Sequence, residues 1–334
     1  MINSGYPLFI RFMDLKFKYA FIDGNWVLHR NFCAMGGVSG VKLFEGAENQ
    51  LTSSVTSSIL KMLQEFDVEK IIILWDTAPY CKTLLLDTYK AGRYNPTDED
   101  IDSIDDEDEK LKELNNKYNF KLRSAAKENL QTLGELGLPS IYLKGFEGDD
   151  LAYLMSKYCS EQGIRHLLVS IDSDWEYWCN PNGCVYNPKR DETYSYDDIA
   201  KRVVLQNGMS LFRFKSLYDT FYGSHNALSM TIKEELYPED CHEMFKIFNE
   251  KGFTTELFDD PDTAKIQLET FDMSKYDGFD KISYICDSLD KIGQKSSLGK
   301  INDFGMTTGI WLNIDAFKHY YQTANWKLFQ QISN

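Results

Sequence analysis

The chain has 334 residues, of which 43% are hydrophobic and 14% aromatic, and its formal net charge is -15. This composition supports a substantial core, which excludes an intrinsically disordered chain, and no apolar run approaches the roughly 20 residues of a membrane-spanning helix. The negative charge is unusual for a nucleic-acid-binding protein, because phosphate binding relies on Lys and Arg.

Short apolar runs alternate with helical patterns along the first half of the chain. Strands are predicted at 19–23, 70–76, 141–145 and 166–172, and helices at 48–66, 123–136 and 149–162. Because repeated strand–helix–strand units form parallel sheets, we predict an α/β fold, with a mostly parallel central sheet and helices on both faces. An Asn-Gly pair inside 179–189 predicts a β-hairpin there.

Residues 94–118 interrupt this alternation. Nine of the residues from Asp98 to Glu109 are Asp or Glu. This run predicts a solvated loop or, alternatively, a flexible element over the site that inhibits the protein itself or docks a basic partner. After residue 200 the strand–helix pattern stops and helical patterns dominate. We therefore predict an α/β core at 1–200, with an insertion at 94–118, and a helical region at 201–334.

Carboxylates follow the predicted strands. They are Asp23, Asp76, Glu147, Asp149, Asp150, Asp172 and Asp174. Buried acids that crowd one edge of a sheet repel each other and lose hydration, so their presence points to divalent cations. Mg²⁺ takes oxygen ligands, and two such ions can hold a scissile phosphate, which predicts a metal-dependent phosphodiesterase. Single acids, such as Asp149 and Asp172, could instead be helix N-caps.

Four motifs, in their order, spacing and strand context, resemble the 5′-nuclease superfamily. This superfamily includes flap endonucleases, the 5′-exonuclease domain of bacterial DNA polymerase I, and phage 5′-exonucleases and RNase H. The motifs are FIDGNW, ILWD followed by TYKAGR, FEGDD and SIDSD, and they lie between residues 20 and 200. The similarity is greatest to the phage enzymes, which implies a phage or other viral source.

The resemblance implies a role for each motif residue. The acids Asp23, Asp76, Glu147 and Asp149 would hold a first metal ion. The coordination of that ion would be completed by Asp150, Asp172 and Asp174, which would also begin a second metal site. Lys82 and Arg93 would neutralise the reacting phosphate, and Lys90 would bind the nucleic-acid backbone. The implied cofactors are two Mg²⁺ or Mn²⁺ ions. The implied partners are DNA or an RNA–DNA hybrid with a 5′ end and, as a further candidate, a replication protein, with no membrane partner.

The chain departs from the family at the Gly-Asp-x-x-Asp-Asn element, which opens a helix–loop–helix that binds duplex DNA. The nearest stretch is 217–230, where Asn226 aligns as a nucleic-acid-binding residue but Tyr222 and His225 replace the two aspartates. Asp219 and His225 are the candidate substitute ligands for the second metal ion. The stretch also lacks the family's Gly-rich spacing, which argues against a K⁺ site.

Three functions stay open on these observations. The first is an active 5′→3′ exonuclease or a flap or RNase H-type nuclease. The second is a nuclease-fold subunit that has lost catalysis and scaffolds a replication or transcription assembly, which the missing Asp pair and the net charge of -15 favour. The third is a PIN-like ribonuclease, which shares the strand-end acids, although the chain length and the region 82–93 argue against it. The scattered cysteines and the lack of a signal-peptide pattern predict a cytoplasmic protein, in the host cytoplasm if viral.

Overall fold

The structure is a computed structural model, and it describes only part of the chain. The described residues are 16–64, 66–77, 96–203, 210–211, 215, 260–262, 265 and 298–313. Several predicted site residues lie outside them: Lys82, Lys90, Arg93, Asp219, His225 and Asn226. Their predicted roles therefore stay predictions, as does the degenerate helix–loop–helix at 217–230.

Six strands form one sheet in the order β3-β2-β1-β4-β5-β6. The first five strands run parallel and β6 pairs antiparallel to β5, so the sheet is mostly parallel, as predicted. The strands are β1 Lys16–Asp23, β2 Asp67–Leu74, β3 Ser140–Ile141, β4 His166–Val169, β5 Gly183–Asn187 and β6 Glu192–Ser195.

Alternate side chains of each buried strand enter separate cores on the two faces of the sheet. In β1, Ala20 and Ile22 pack on one face, whereas Tyr19 and Phe21 pack on the other. Successive strand residues point to opposite faces, so a strand that is apolar throughout must be covered on both sides. This pattern explains why the short runs in the sequence contain so few polar residues.

Helices cover both faces. The α-helices of the described ranges are α1 Gly24–Ala34, α2 Ala47–Met62, α3 Asp98–Asp102, α4 Glu107–Gln131, α5 Gly148–Glu161, α6 Tyr196–Arg202 and α7 Leu298–Thr308. Buried residues of α1, α2 and α4 join one core, and those of α5 and α6 join the other. Among the described helices, none has the length and the apolar character that a bilayer crossing would need.

The acidic segment is helical, so its interpretation as a loop is wrong. Asp98–Asp102 is a helix whose N-cap Thr97 accepts a hydrogen bond from the Asp100 amide, and Asp106 caps α4 by accepting from the Glu109 amide at 2.8 Å. Acids in the first turn of a helix are stabilised by the exposed amides and the helix dipole. The excess of acids therefore marks two helix beginnings rather than an unstructured chain.

The predicted hairpin at 179–189 is also wrong. Asn182 and Gly183 lead into β5, which pairs parallel to β4, and the antiparallel hairpin is formed by β5 and β6. The hairpin turn contains Asp191 with a φ of 56°, in the left-handed region. The Asn-Gly pair does lie in a turn. The strand that follows it, β5, pairs with β4 because both strands are buried in the sheet.

Part of the region beyond residue 201 packs on the same core as the sheet. Ile301, Ile310 and Leu312 are buried in the core that contains α2, and the Ser53 hydroxyl donates to the Trp311 carbonyl at 2.6 Å. The division into regions at 1–200 and 201–334 stays a prediction, and residues 298–313 lie against the first of them.

A fully buried histidine begins β4. The ring Nε2 of His166 lies 2.8 Å from the Ser156 hydroxyl, which donates to the Trp178 carbonyl, and Asn180 joins the same group. A Cβ on Gly183 would lie 2.7 Å from this ring, so the site requires glycine. Burial lowers the pKa of His166 to about 4, so the imidazole is neutral at pH 7. We refer to these side chains as the His166 cluster.

Candidate active site

Asp23 ends β1 and begins α1. Its Oδ1 accepts from the Trp26 amide at 3.0 Å, so the residue is the N-cap of α1, and its Oδ2 accepts from the Ser170 hydroxyl at 2.8 Å. Gly24 allows this turn because a Cβ there would lie 2.8 Å from the Leu74 carbonyl of the neighbouring strand. The local structure thus fixes the Asp23 carboxylate at the carboxyl edge of the sheet.

Asp76 follows β2 at the same edge. Its Oδ1 accepts from the amide of Gly148, the first residue of α5, at 2.6 Å. The Lys127 ammonium on α4 donates to the Asp76 main-chain carbonyl at 2.6 Å. The turn after β2 is therefore tied to α4 through its backbone and to α5 through its carboxylate.

The FEGDD motif opens α5. Glu147 is the residue before the helix and is only 1% exposed, and Asp150 Oδ2 accepts from the Glu147 amide at 3.0 Å. Asp149 accepts from the Trp175 indole nitrogen at 2.7 Å. Because Glu147 occupies the N-cap position, the interpretation of Asp149 as an N-cap is wrong.

The SIDSD motif follows β4. The Ser170 hydroxyl donates to Asp23 and accepts from the Asp172 amide at 3.0 Å. Asp172 is an exposed N-cap, as one interpretation of the sequence expected, and accepts from the Asp174 amide at 2.9 Å. Asp174 forms an ion pair with the buried Lys215 ammonium at 3.2 Å.

The electrostatics couple three of these acids. Burial raises the pKa of Asp23 to about 6, and repulsion from the carboxylates of Asp76 and Asp172 adds to the shift. The hydrogen bonds from Trp26 and Ser170 oppose it. Negative charge at Asp23 is thus disfavoured near neutral pH unless a cation compensates it.

The donor chemistry of this edge fits a hard divalent cation, since every candidate side chain is a carboxylate. The carboxylates of Asp23, Asp76 and Asp172 follow three neighbouring strands, and those of Asp76 and Asp172 each interact with that of Asp23. Within the described ranges, however, no three acidic, histidine or cysteine side chains are already arranged to hold one ion. Asp172 is exposed, whereas Asp174 is partly exposed and paired with Lys215.

Sequence reasoning missed Arg123 and Lys127, which lie on α4 beside this edge. The Lys127 ammonium lies 5.2 Å from the Trp75 ring centroid and the Arg123 guanidinium 5.0 Å from that of Phe32. A cation recurring four residues later inside a predicted helix was the available signal. The spacing alone does not show which part of the fold this helix face contacts.

A family model decides the membership of the chain. Residues 18–204, which carry every described acid of the site, match the model of the 5′-3′ exonuclease N-terminal resolvase-like domain. The chain belongs to this family. The match favours the 5′-nuclease family over the PIN-like alternative. This is also the family that the four sequence motifs resemble.

Relatives of this 5′-3′ exonuclease family member are much longer proteins. Thermostable DNA polymerase I of Thermus thermophilus is 27% identical over 169 residues, which are 50% of this chain and 17% of the polymerase. The corresponding enzyme of Thermus aquaticus is also 27% identical over 169 residues, with the same coverage. The chain thus matches less than a fifth of each polymerase.

Solved structures share the fold. The flap endonuclease D15 of bacteriophage T5, in complex with DNA and metal ions, superposes with a TM-score of 0.57 and 17% identity over 83% of this chain and 100% of that one. The T5 5′-exonuclease with bound zinc gives a TM-score of 0.54 and 17% identity, over 82% of this chain and 96% of that one. At these identities the likeness establishes the 5′-nuclease fold.

Proposed function

We propose that this protein is a divalent-metal-dependent 5′→3′ exonuclease or a flap or RNase H-type nuclease, which cleaves DNA or an RNA–DNA hybrid near a 5′ end in replication or repair. The observation that carries the proposal is the coupling of Asp23 to Asp76 and Asp172, with the pKa of Asp23 raised to about 6. Burial of like charges close together destabilises a fold, and a bound cation would offset this cost. A replication protein is proposed as a further partner.

The site residues divide by position. Asp23, Asp76, Glu147 and Asp149 would hold one Mg²⁺ or Mn²⁺ ion, and Asp150, Asp172 and Asp174 would complete it and begin a second site. When bound, such ions supply a water acidic enough to attack phosphorus near neutral pH. Ser170 and the Gly148 amide orient the carboxylates of Asp23 and Asp76. Lys82 and Arg93 are proposed to neutralise the phosphate, and Lys90 to bind the backbone.

The test is cleavage of 5′-labelled flap, nicked-duplex and RNA–DNA hybrid substrates in Mg²⁺, in Mn²⁺ and in EDTA. The double variant Asp172→Ala/Asp174→Ala removes both acids of the SIDSD motif. We expect a loss of activity of at least about a hundredfold, because metal ligands stabilise charge in the transition state. The preferred substrate then identifies the subclass.

The matched control is Asp197→Ala, which removes an exposed acid from the first turn of α6. This variant should keep wild-type activity. Equal activity of the double variant and the control would reject the assigned site. No cleavage by the wild-type protein with any substrate and either metal ion would reject the nuclease function itself.

A second candidate function is a binding or scaffolding subunit of a replication or transcription assembly. It is favoured by the internal partners of two acids, since Asp174 is paired with Lys215 and Asp149 accepts from Trp175. Such partners compete with a metal ion for the same oxygens. Binding of a 5′-flap substrate without cleavage in Mg²⁺ or Mn²⁺ would support this function over the first.

A further inference from the structure

Two cations share one face of α4. Arg123 and Lys127 are four residues apart, so they are neighbours on the helix surface, and the rise between them is about 6 Å. Both are half-buried, in contrast to the exposed Lys121 on the same helix. Their face of α4 is turned towards the sheet edge where Asp76 lies and towards the end of α1.

Lys127 is held next to the acidic edge. Its ammonium donates to the Asp76 carbonyl at 2.6 Å and lies 5.2 Å from the centroid of the Trp75 ring. Burial lowers the pKa of Lys127, while the nearby Asp76 carboxylate opposes this effect. The ammonium has three protons, and one hydrogen bond leaves it able to bind another acceptor.

Arg123 lies one helical turn away. Its guanidinium stacks over Phe32 of α1 at 5.0 Å, and its Nε is buried without a hydrogen-bond partner. Burial lowers the pKa of Arg123, and in the described part of the chain no carboxylate forms an ion pair with it. Arginine is the side chain best suited to bind phosphate through two hydrogen bonds.

Among the described residues no carboxylate offsets the cost of removing Arg123 from water, and the Asp76 carboxylate offsets only part of this cost for Lys127. Two such cations side by side also repel each other. The net charge of the chain is -15, so carboxylates are plentiful elsewhere, and surface lysines of the same helix do have acidic partners: Lys110 with Asp102 and Lys117 with Asp98. An anionic ligand that contacts both Arg123 and Lys127 would offset this cost.

We propose that Arg123 and Lys127 form a phosphate-binding pair for a nucleic-acid strand that lies along this face of α4. The inference rests on the proposed function only for the choice of a nucleic acid as the ligand. Lys127 binds a phosphate next to the acidic edge, and Arg123 binds one farther along the strand.

The test measures binding separately from cleavage. Fluorescence anisotropy with a labelled 5′-flap DNA is recorded in EDTA, so that no cleavage takes place, between about 50 and about 200 mM KCl. The variants are Arg123→Gln and Lys127→Gln, with Lys121→Gln as the control for the same loss of charge on the same helix. We expect each of the two site variants to bind about fivefold to tenfold more weakly.

The salt dependence identifies a phosphate contact. Each site variant should lower the slope of log K against log[salt] by about 0.7–0.9, and the double variant by about twice that, whereas Lys121→Gln should not change it. The charge-keeping variants Arg123→Lys and Lys127→Arg should retain the wild-type slope, which separates lost contacts from misfolding. Thermal unfolding of all variants is measured in the same buffer.

The possible outcomes distinguish the phosphate-binding proposal for Arg123 and Lys127 from the proposed nuclease function. Slopes of Arg123→Gln and Lys127→Gln equal to that of Lys121→Gln would overturn the inference, even if the enzyme cleaves. Reduced slopes in a protein that binds but never cleaves would support the pair while the nuclease function fails. A wild-type protein that does not bind the flap DNA would overturn the pair, because it would have no such ligand.

Discussion

The two ends of β4 carry two different kinds of polar cluster. At its first residue, the His166 cluster is neutral, and hydrogen bonds join His166, Ser156 and Asn180. Just beyond its last residue, Ser170 joins Asp23 to Asp172, where carboxylates repel one another. A polar cluster that only supports the fold can be neutral and complete. The end with the like charges is the end where we propose that cations bind.

The largest effect on stability is expected at the His166 cluster. His166→Ala removes a fully buried ring and the acceptor or donor that faces Ser156, so the free energy of unfolding should fall by about 3–5 kcal/mol. Urea unfolding at pH 7 measures this. His29→Ala is the matched control, because His29 is exposed and should change stability by less than about 0.5 kcal/mol. Equal effects of the two variants would contradict the assigned support role.

An effect of opposite sign is expected at Asp23. Its pKa is about 6 in the folded protein, above the ordinary value of 3.8, so its contribution to stability is present below pH 4 and is lost as the pH rises through 6. In Asp23→Asn the buried side chain cannot ionise, so this stability is not lost at higher pH. The variant should therefore stabilise the metal-free protein at pH 7 by about 2–3 kcal/mol. At pH 4 the difference should vanish.

The measurement for Asp23→Asn is urea unfolding in EDTA from pH 4 to pH 7, with Asp197→Asn as the exposed control. The same series in Mg²⁺ should reverse the order, because a cation stabilises the wild-type site and not the variant. A destabilised Asp23→Asn at pH 7 without metal would show that the Asp23 carboxylate contributes more as a helix cap than it costs as a buried charge.

The smallest effect on stability is expected at Ser170, which directly follows β4. Ser170→Ala removes one hydrogen bond from Asp23, which should lower the free energy of unfolding by about 1 kcal/mol. Because that bond lowers the pKa of Asp23, its loss should raise this pKa further. Unfolding curves and the Mg²⁺-induced shift in Tm check both points, with Ser160→Ala on α5 as the control. An unchanged Mg²⁺ shift would mean that Ser170 does not orient the carboxylate.

The sequence predicted the site edge because its signals are local. Each strand end was marked by an acid directly after an apolar run, and the structure puts Asp23, Asp76 and Asp172 at one edge. The predicted hairpin at 179–189 is wrong because the strand after the Asn-Gly turn, β5, pairs with β4, and that pairing depends on burial in the whole sheet. The two acidic helices begin at the caps Thr97 and Asp106, but the density of like charge around these residues also fits a solvated loop.

The His166 cluster and the Arg123–Lys127 pair could not be predicted from the sequence, for another reason. Ser156, His166 and Asn180 come from three different elements, and no spacing in the sequence connects them. Similarly, Arg123 contacts α1 and Lys127 contacts the turn after β2. Contacts of this kind follow from packing, which periodicity does not report.

The sheet ends in short strands on both sides. In the described chain β3 has two residues and β6 has four, and β6 begins with the exposed Glu192. An unpaired strand edge is a template for pairing with another chain, and short or charged edges suppress that pairing. This protein should therefore resist edge-to-edge aggregation even when its long, apolar central strands make it rich in β-forming sequence.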